Sequence, residues 1–178
     1  MKPVRARYAK IDRLVRDLLD KHNVASPPVP VEKIADGEGA EIAVKQFNGE
    51  ISGLLLRADG RAIIAVDRRQ APARQRFTIA HELGHLLLHE GKEVRVDTNF
   101  RVNLRSPISS TAEDVEEIEA NAFASALLMP EQFLRADLEN LVLDMEDDKQ
   151  LKMLAKRYQV STQAITFRLI NLHSLGKI

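Results

Sequence analysis

The chain has 178 residues, 44% hydrophobic and 29% charged, enough for a soluble globular protein with a sizeable core. Lys+Arg and Asp+Glu balance at 26 each, so there is no global positive field of the kind nucleic-acid binders usually carry. Cysteine is absent, which excludes a disulfide framework, a thiolate metal site and a cysteine nucleophile; any metal must be held by histidines and carboxylates. No run approaches the roughly 18 apolar residues of a spanning helix, and Met1 to Asp20 lacks an apolar signal core, so the expected location is the cytoplasm.

From Arg5 to His22, the residues Tyr8, Ile11, Leu14, Val15, Leu18 and Leu19 recur at three and four, predicting an amphipathic helix laid on the core. Ser26-Pro27-Pro28-Val29-Pro30 breaks it, since proline lacks an N–H and locks φ. Val31 to Ala35 resumes as a short helix ending near Gly37–Gly39. Glu41 to Phe47, Ser52 to Arg57 and Arg61 to Val66 read as three strands of a small antiparallel sheet. Ala58-Asp59-Gly60-Arg61 is a tight hairpin signal, because Asp-Gly supplies the positive φ a two-residue turn needs. A free edge of such a sheet can pair with an extended peptide, or the sheet can simply back the next helix. Arg68, Arg69, Arg74 and Arg76 form the densest basic run and read as a solvated loop and helix start.

A helix is then predicted from Pro72 or Ala73 to about Glu90, with Gly91 as its stop. It carries His81-Glu82-Leu83-Gly84-His85, an H-E-x-x-H pattern that a chain of this length shows by chance roughly once in a few hundred cases. His81 and His85 lie one turn apart on the same face, where two imidazoles can close on one Zn²⁺. Glu82 lies roughly 100° round the helix, too far to ligate with them but well placed as general base in metal-assisted hydrolysis. Gly84 costs the helix about 1 kcal/mol relative to Ala, so its place suggests a close approach to the backbone. His89 continues the i, i+4 series but sits about 12 Å along the axis from His81, too far to join both histidines on one ion. It reads as outer support for the site or as a surface residue.

Val94 and Val96 alternate with polar residues as a short edge strand, and Asp97 to Ser110 reads as a loop. A second helix is predicted from Ser110 or Thr111 to Leu128, opened by a Ser110/Glu113 capping box. On its wheel Glu119 falls in the middle of a stripe formed by Val115, Ala122, Phe123 and Ala126, whereas Glu113, Asp114 and Glu117 point away and Glu116 is marginal. A carboxylate on the core face is costly unless paired or metal-bound. A buried ion pair with an arginine is one solution; with a metal helix short of one ligand, zinc is the better partner. Pro130 opens a short helix, Glu131 to Leu138, and Asp144 to Asp148 is an acidic linker. Gln150 to Leu172 has a helix-turn-helix pattern with Ser161 as N-cap. Its second helix offers only Arg168 as a basic residue, so residues 150–172 read as a packed helix pair, with direct nucleic-acid binding the lesser option.

Pro27-Pro28-Val29, Ile51-Ser52-Gly53, Arg76-Phe77-Thr78-Ile79-Ala80-His81-Glu82-Leu83-Gly84-His85 and Glu119-Ala120-Asn121-Ala122-Phe123-Ala124-Ser125-Ala126-Leu127-Leu128-Met129-Pro130 together resemble the ImmA/IrrE-type metallopeptidases of bacteria, phages and mobile elements. The resemblance runs through about two-thirds of the chain; its one departure is Asp67, where an Asn is expected. It implies an α+β, compact zincin-like (minimal gluzincin) fold, mostly helical, with the three-stranded antiparallel sheet and the C-terminal helix pair. Residues 1–140 would form the metallopeptidase domain and 141–178 the helices packed on it. It further implies one Zn²⁺ held by His81, His85 and Glu119, and Glu82 as base. The substrate would be an XRE-like helix-turn-helix repressor, whose cleavage derepresses stress or mobile-element genes. The resemblance is to the shorter members, so the further C-terminal sensor domain of the longer radiation-response members is not expected. Other readings are a regulator that works by binding alone and one half of a toxin–antitoxin pair. An oxyanion donor is expected among Tyr158, Tyr8, His89 and His173, each more readily structural.

Overall fold

A computed structural model describes residues 6–48, 51–58, 60–90, 93–98, 112–139 and 148–178. The N-terminal helix α1 (Tyr8–Lys21) buries Ile11, Val15, Leu18 and Leu19, the stripe its periodicity predicts, and leaves Tyr8 at the exposed start. The short helix α2 (Val31–Gly37) follows the proline run and buries Val31, Ile34 and Ala35.

The sheet corrects the expected one. It has four strands, β1 (Ala40–Lys45), β2 (Ile51–Ala58), β3 (Arg61–Asp67) and β4 (Val94–Thr98), in the order β1-β3-β2-β4. β2 and β3 form the predicted hairpin, with Ala58 opposite Arg61 and Gly60 at φ +74° in the turn. β1, however, runs parallel to β3, with Ile42 opposite Ile64. The reason is steric order. β2 occupies one side of β3, so β1 can reach only the other; and because the chain reverses before β2, β1 and β3 point the same way. β3 thereby becomes central and buries Ile64 and Val66, which explains its nearly unbroken apolar run. β4 closes the opposite edge, antiparallel to β2.

The two long helices α3 (Pro72–Leu88) and α4 (Ala112–Leu128) pack closely. A Cβ on Gly84 would meet Phe123 Cδ1 at 3.0 Å and the Ala120 Cα at 3.2 Å, so this glycine is where the two backbones approach. After α5 (Glu131–Leu138), the helices α6 (Asp148–Tyr158) and α7 (Thr162–Ser174) form the predicted pair. Ser161 caps α7, its hydroxyl accepting the Ala164 N–H at 3.1 Å. Ile165, Leu169 and Leu172 of α7 lie in the same buried cluster as Ile11 of α1, Ile64 of β3 and Phe123 of α4. The Gly91 stop, most of the 97–110 loop, the Ser110 cap and most of the acidic linker fall outside the described residues. No helix of the described residues is long and apolar enough to cross a membrane.

Candidate metal centre

On α3, His81 and His85 are 0% and 1% exposed, their rings edge to face with centroids 4.5 Å apart. Their Nε2 atoms lie 3.0 Å apart. Two nitrogens at the usual 2.0–2.1 Å from a tetrahedral zinc are separated by about 3.3 Å, so the pair is preset for one ion. The carboxylate that joins them is that of Glu117 on α4, 3.5 Å from His81 Nε2 and 3.4 Å from His85 Nε2. These three residues offer donor atoms within 4.8 Å of one another, and two imidazoles with one carboxylate are a donor set that suits zinc. Arg95 of β4 also meets Glu117, and its Nη1 is 3.5 Å from Glu116, tying the edge strand to α4.

Glu82, 0% exposed, turns from α3 towards β2. A Cβ on Gly53 would stand 2.7 Å from Glu82 Oε1 and 2.5 Å from Thr78 Cγ2, so the bare glycine makes the space this carboxylate occupies. From the same strand Arg57 donates to the His85 carbonyl at 2.7 Å and to the His89 carbonyl at 3.4 Å. It thereby adds a second donor to the His85 carbonyl, which also accepts the His89 N–H at 3.3 Å, and meets the His89 carbonyl just past the end of α3. Burial lowers the Arg57 pKa, and Arg95 nearby lowers it further.

Glu119 does not stand with the histidine pair. Its carboxylate, 1% exposed, accepts from the Arg7 main-chain N–H at 2.6 Å, Arg7 Nε at 2.9 Å and Arg7 Nη2 at 2.6 Å. It also lies 3.0 Å from His89 Nε2. Burial by itself would raise this carboxyl, but the hydrogen bonds from Arg7 and His89 outweigh it and hold it down to about 2. The bond to Glu119 likewise raises the Arg7 pKa. The His89 side chain is 3% exposed, and burial lowers its pKa against the pull of Glu119.

Where the sequence reading put Glu119, the structure therefore seats Glu117, and Glu119 takes the ion pair that reading set aside. The physical reason is that α4 is buried over most of its circumference. Ala120, Ala124, Leu127 and Leu128 are buried as well as Val115, Phe123 and Ala126, so the stripe has no single middle. α3 lies on the side of Ala120 and Phe123, within reach of Glu117, whereas α1 begins on the side of Glu119. Wheel angles carry no information about which neighbour occupies which side.

Of the basic run, Arg68 and Arg69 are exposed as expected, and Arg76 departs from the expectation. Arg76 is buried and donates to the Val29 carbonyl at 2.7 Å, joining α3 to the proline segment; Arg69 grips Asp67 at the end of β3. Of the proposed oxyanion donors, the Tyr158 hydroxyl donates to Asp137 at 2.9 Å, and His173 is exposed near the end of α7. Arg168 is turned inward, its Nε donating to the Met129 carbonyl at 3.1 Å. Arg7, Arg57 and Glu117 were missed by sequence reasoning; only Arg57, a charge within an apolar strand, carries any local signal.

A family model described as the IrrE N-terminal-like domain, a peptidase family, matches residues 35–170. The chain is 32% identical over 107 residues to the radiation response metalloprotease IrrE of Deinococcus radiodurans, covering 60% of this chain and 30% of that protein. The solved structure of a Mycobacterium tuberculosis transcriptional regulator is similar with a TM-score of 0.60 at 17% identity, over 88% of this chain and 45% of that one, a likeness of fold alone. This chain thus spans less than half the length of either protein.

Proposed function

This chain belongs to the peptidase family of the IrrE N-terminal-like domain, and on that premise we propose that it is a zinc-dependent endopeptidase whose substrate is a helix-turn-helix transcriptional repressor. The observation that carries the reading is the convergence of two buried imidazoles and one carboxylate beside a buried Glu82. His81, His85 and Glu117 are the residues that would hold the ion. Zinc bound there would supply a Lewis acid that polarises the scissile carbonyl and makes water acidic enough to attack near neutral pH.

Glu82 takes the proton of the attacking water and passes it to the leaving amine, so one carboxylate acts first as base and then as acid. Its place on the turn that carries His81, in the space Gly53 leaves, keeps it within reach without making it a ligand. The substrate backbone is held by β4, whose outer edge has no partner strand among the described residues and can pair with an extended peptide. Arg95 joins that strand to Glu117. The choice of a repressor as substrate rests on the ImmA/IrrE-type resemblance.

The test is incubation with the repressor encoded beside this protein, with and without a chelator, followed by intact-mass analysis. Two defined fragments are expected, and chelator should abolish them. Glu82→Gln should keep its zinc and lose about 10²–10⁴-fold in cleavage rate. Full cleavage by that variant removes Glu82 from the role.

A further inference from the structure

His85 has a second ring nitrogen, and the structure gives it a partner. Nδ1 of His85 lies 3.1 Å from Nδ1 of His89, and Nε2 of His89 lies 3.0 Å from Oε2 of Glu119. Glu119 also accepts from Arg7, whose main-chain N–H and Nε donate to Oε1 and whose Nη2 donates to Oε2. An ionised carboxylate only accepts hydrogen bonds, so the hydrogen of the last link belongs to His89 Nε2. A neutral imidazole has one N–H and one lone pair. His89 Nδ1 therefore accepts, and the hydrogen of the middle link belongs to His85 Nδ1. What remains on His85 is a lone pair at Nε2, the atom that faces His81 Nε2 at 3.0 Å and Glu117 at 3.4 Å.

We propose that Arg7, Glu119 and His89 are positioning residues, a hydrogen-bonded relay that fixes His85 as its Nδ1–H tautomer and presents its Nε2 lone pair to a divalent cation. The proposal rests on the zinc reading of the site. A metal-bound histidine commonly donates its other N–H to a carboxylate. Here one imidazole is interposed, and the carboxylate is anchored by a residue just before α1. Arg7 Nη2 also donates to the Leu88 carbonyl at 3.3 Å, so the start of α1, the end of α3 and the middle of α4 meet at this relay. The arrangement explains why a carboxylate and a histidine outside the His81–His85–Glu117 set have side chains only 1% and 3% exposed beside it.

The relay can be read without any substrate. In the metal-free, ¹⁵N-labelled full chain, long-range ¹H–¹⁵N correlation spectra should show His85 protonated at Nδ1 and His89 at Nε2. The opposite tautomers would overturn the proposal. Zinc affinity, measured by competition with a chromophoric chelator, should fall roughly 10–100-fold in His89→Phe, which keeps a ring but offers no acceptor. His89→Asn, whose amide oxygen can accept from His85 Nδ1, should recover to within a few-fold of the parent, and Glu119→Ala should weaken binding alongside His89→Phe. Circular dichroism confirms that each variant is folded before its affinity is compared. Unchanged affinity in a folded His89→Phe, or equal losses in the Phe and Asn variants, would also overturn it. Should the tautomers and the affinities behave as stated while no repressor is cleaved, the relay stands and the peptidase reading fails.

Discussion

The Glu117 carboxylate lies 3.4 Å from Nε2 of His85, whereas the Glu119 carboxylate is held by Arg7 at 2.6 Å and reaches His85 only through His89. The two acids differ by one intervening residue, about 200° of helix, and so serve different neighbours. Removing the nearer one should cost more. Glu117→Ala is expected to lower zinc affinity beyond the roughly 10–100-fold that follows loss of an outer partner, and Glu119→Ala to stay within it. Thermal melts read the difference, since zinc at 100 times its dissociation constant stabilises the parent by about 2.7 kcal/mol. Equal losses from the two substitutions would undo the assignment of Glu117.

Gly53→Ala places a Cβ 2.5 Å from Thr78 Cγ2 and 2.7 Å from Glu82 Oε1, so the Glu82 carboxylate must move along with Thr78. A displacement of about 1 Å at a reacting group can cost on the order of 10²-fold in rate. The expected outcome is zinc affinity near that of the parent and turnover about 10²-fold lower, measured on the same preparation. Undiminished turnover would mean that Glu82 does not act from this position.

Arg57 spans two carbonyls at the end of α3. Arg57→Met keeps the apolar stem and removes both bonds, so the conformational stability should fall by about 1.5–3 kcal/mol, the range for hydrogen bonds to a charged group. The midpoint of urea unfolding should drop with an unchanged slope. Arg57→Lys should recover only part of the loss, because an ammonium has no fork to reach both oxygens. A full recovery would indicate a role for the charge alone.

Tyr158 gives a pH dependence remote from the metal. Burial pushes its hydroxyl well above the ordinary tyrosine value of 10, and the bond to Asp137 adds to this. Above pH 10 the unfolded chain loses the proton that the folded chain keeps, so the folded state binds more protons and stability falls as pH rises. Below pH 10 this contribution is fully present. Melting temperatures of the parent should therefore decline above pH 10 more steeply than those of Tyr158→Phe. Near pH 7 the substitution should cost about 1 kcal/mol for the lost hydrogen bond. Parallel curves for the two proteins would contradict the assignment.

The amino-acid order alone determined the features that depend on neighbours along the chain. His81 and His85 share a face because four residues make one helical turn; the β2–β3 hairpin forms because Gly60 takes a positive φ; Ser161 caps α7 because its hydroxyl reaches the Ala164 N–H. Gly84 announced a close approach, and Ala120 and Phe123 supply it. These are one-dimensional facts, set by covalent geometry within a few residues.

Only the tertiary structure decided which elements became neighbours. It ran β1 parallel to β3, faced Glu117 rather than Glu119 to the histidine pair, brought Arg7 across 112 positions to Glu119, and set Arg57 on the end of α3. Hydrophobic periodicity reports that a face is buried, not what covers it, because burial of apolar surface is non-directional. Where α4 is covered from several sides, that ambiguity extends to each of its acids, and only the packing of α1 and α3 against it assigns them their partners.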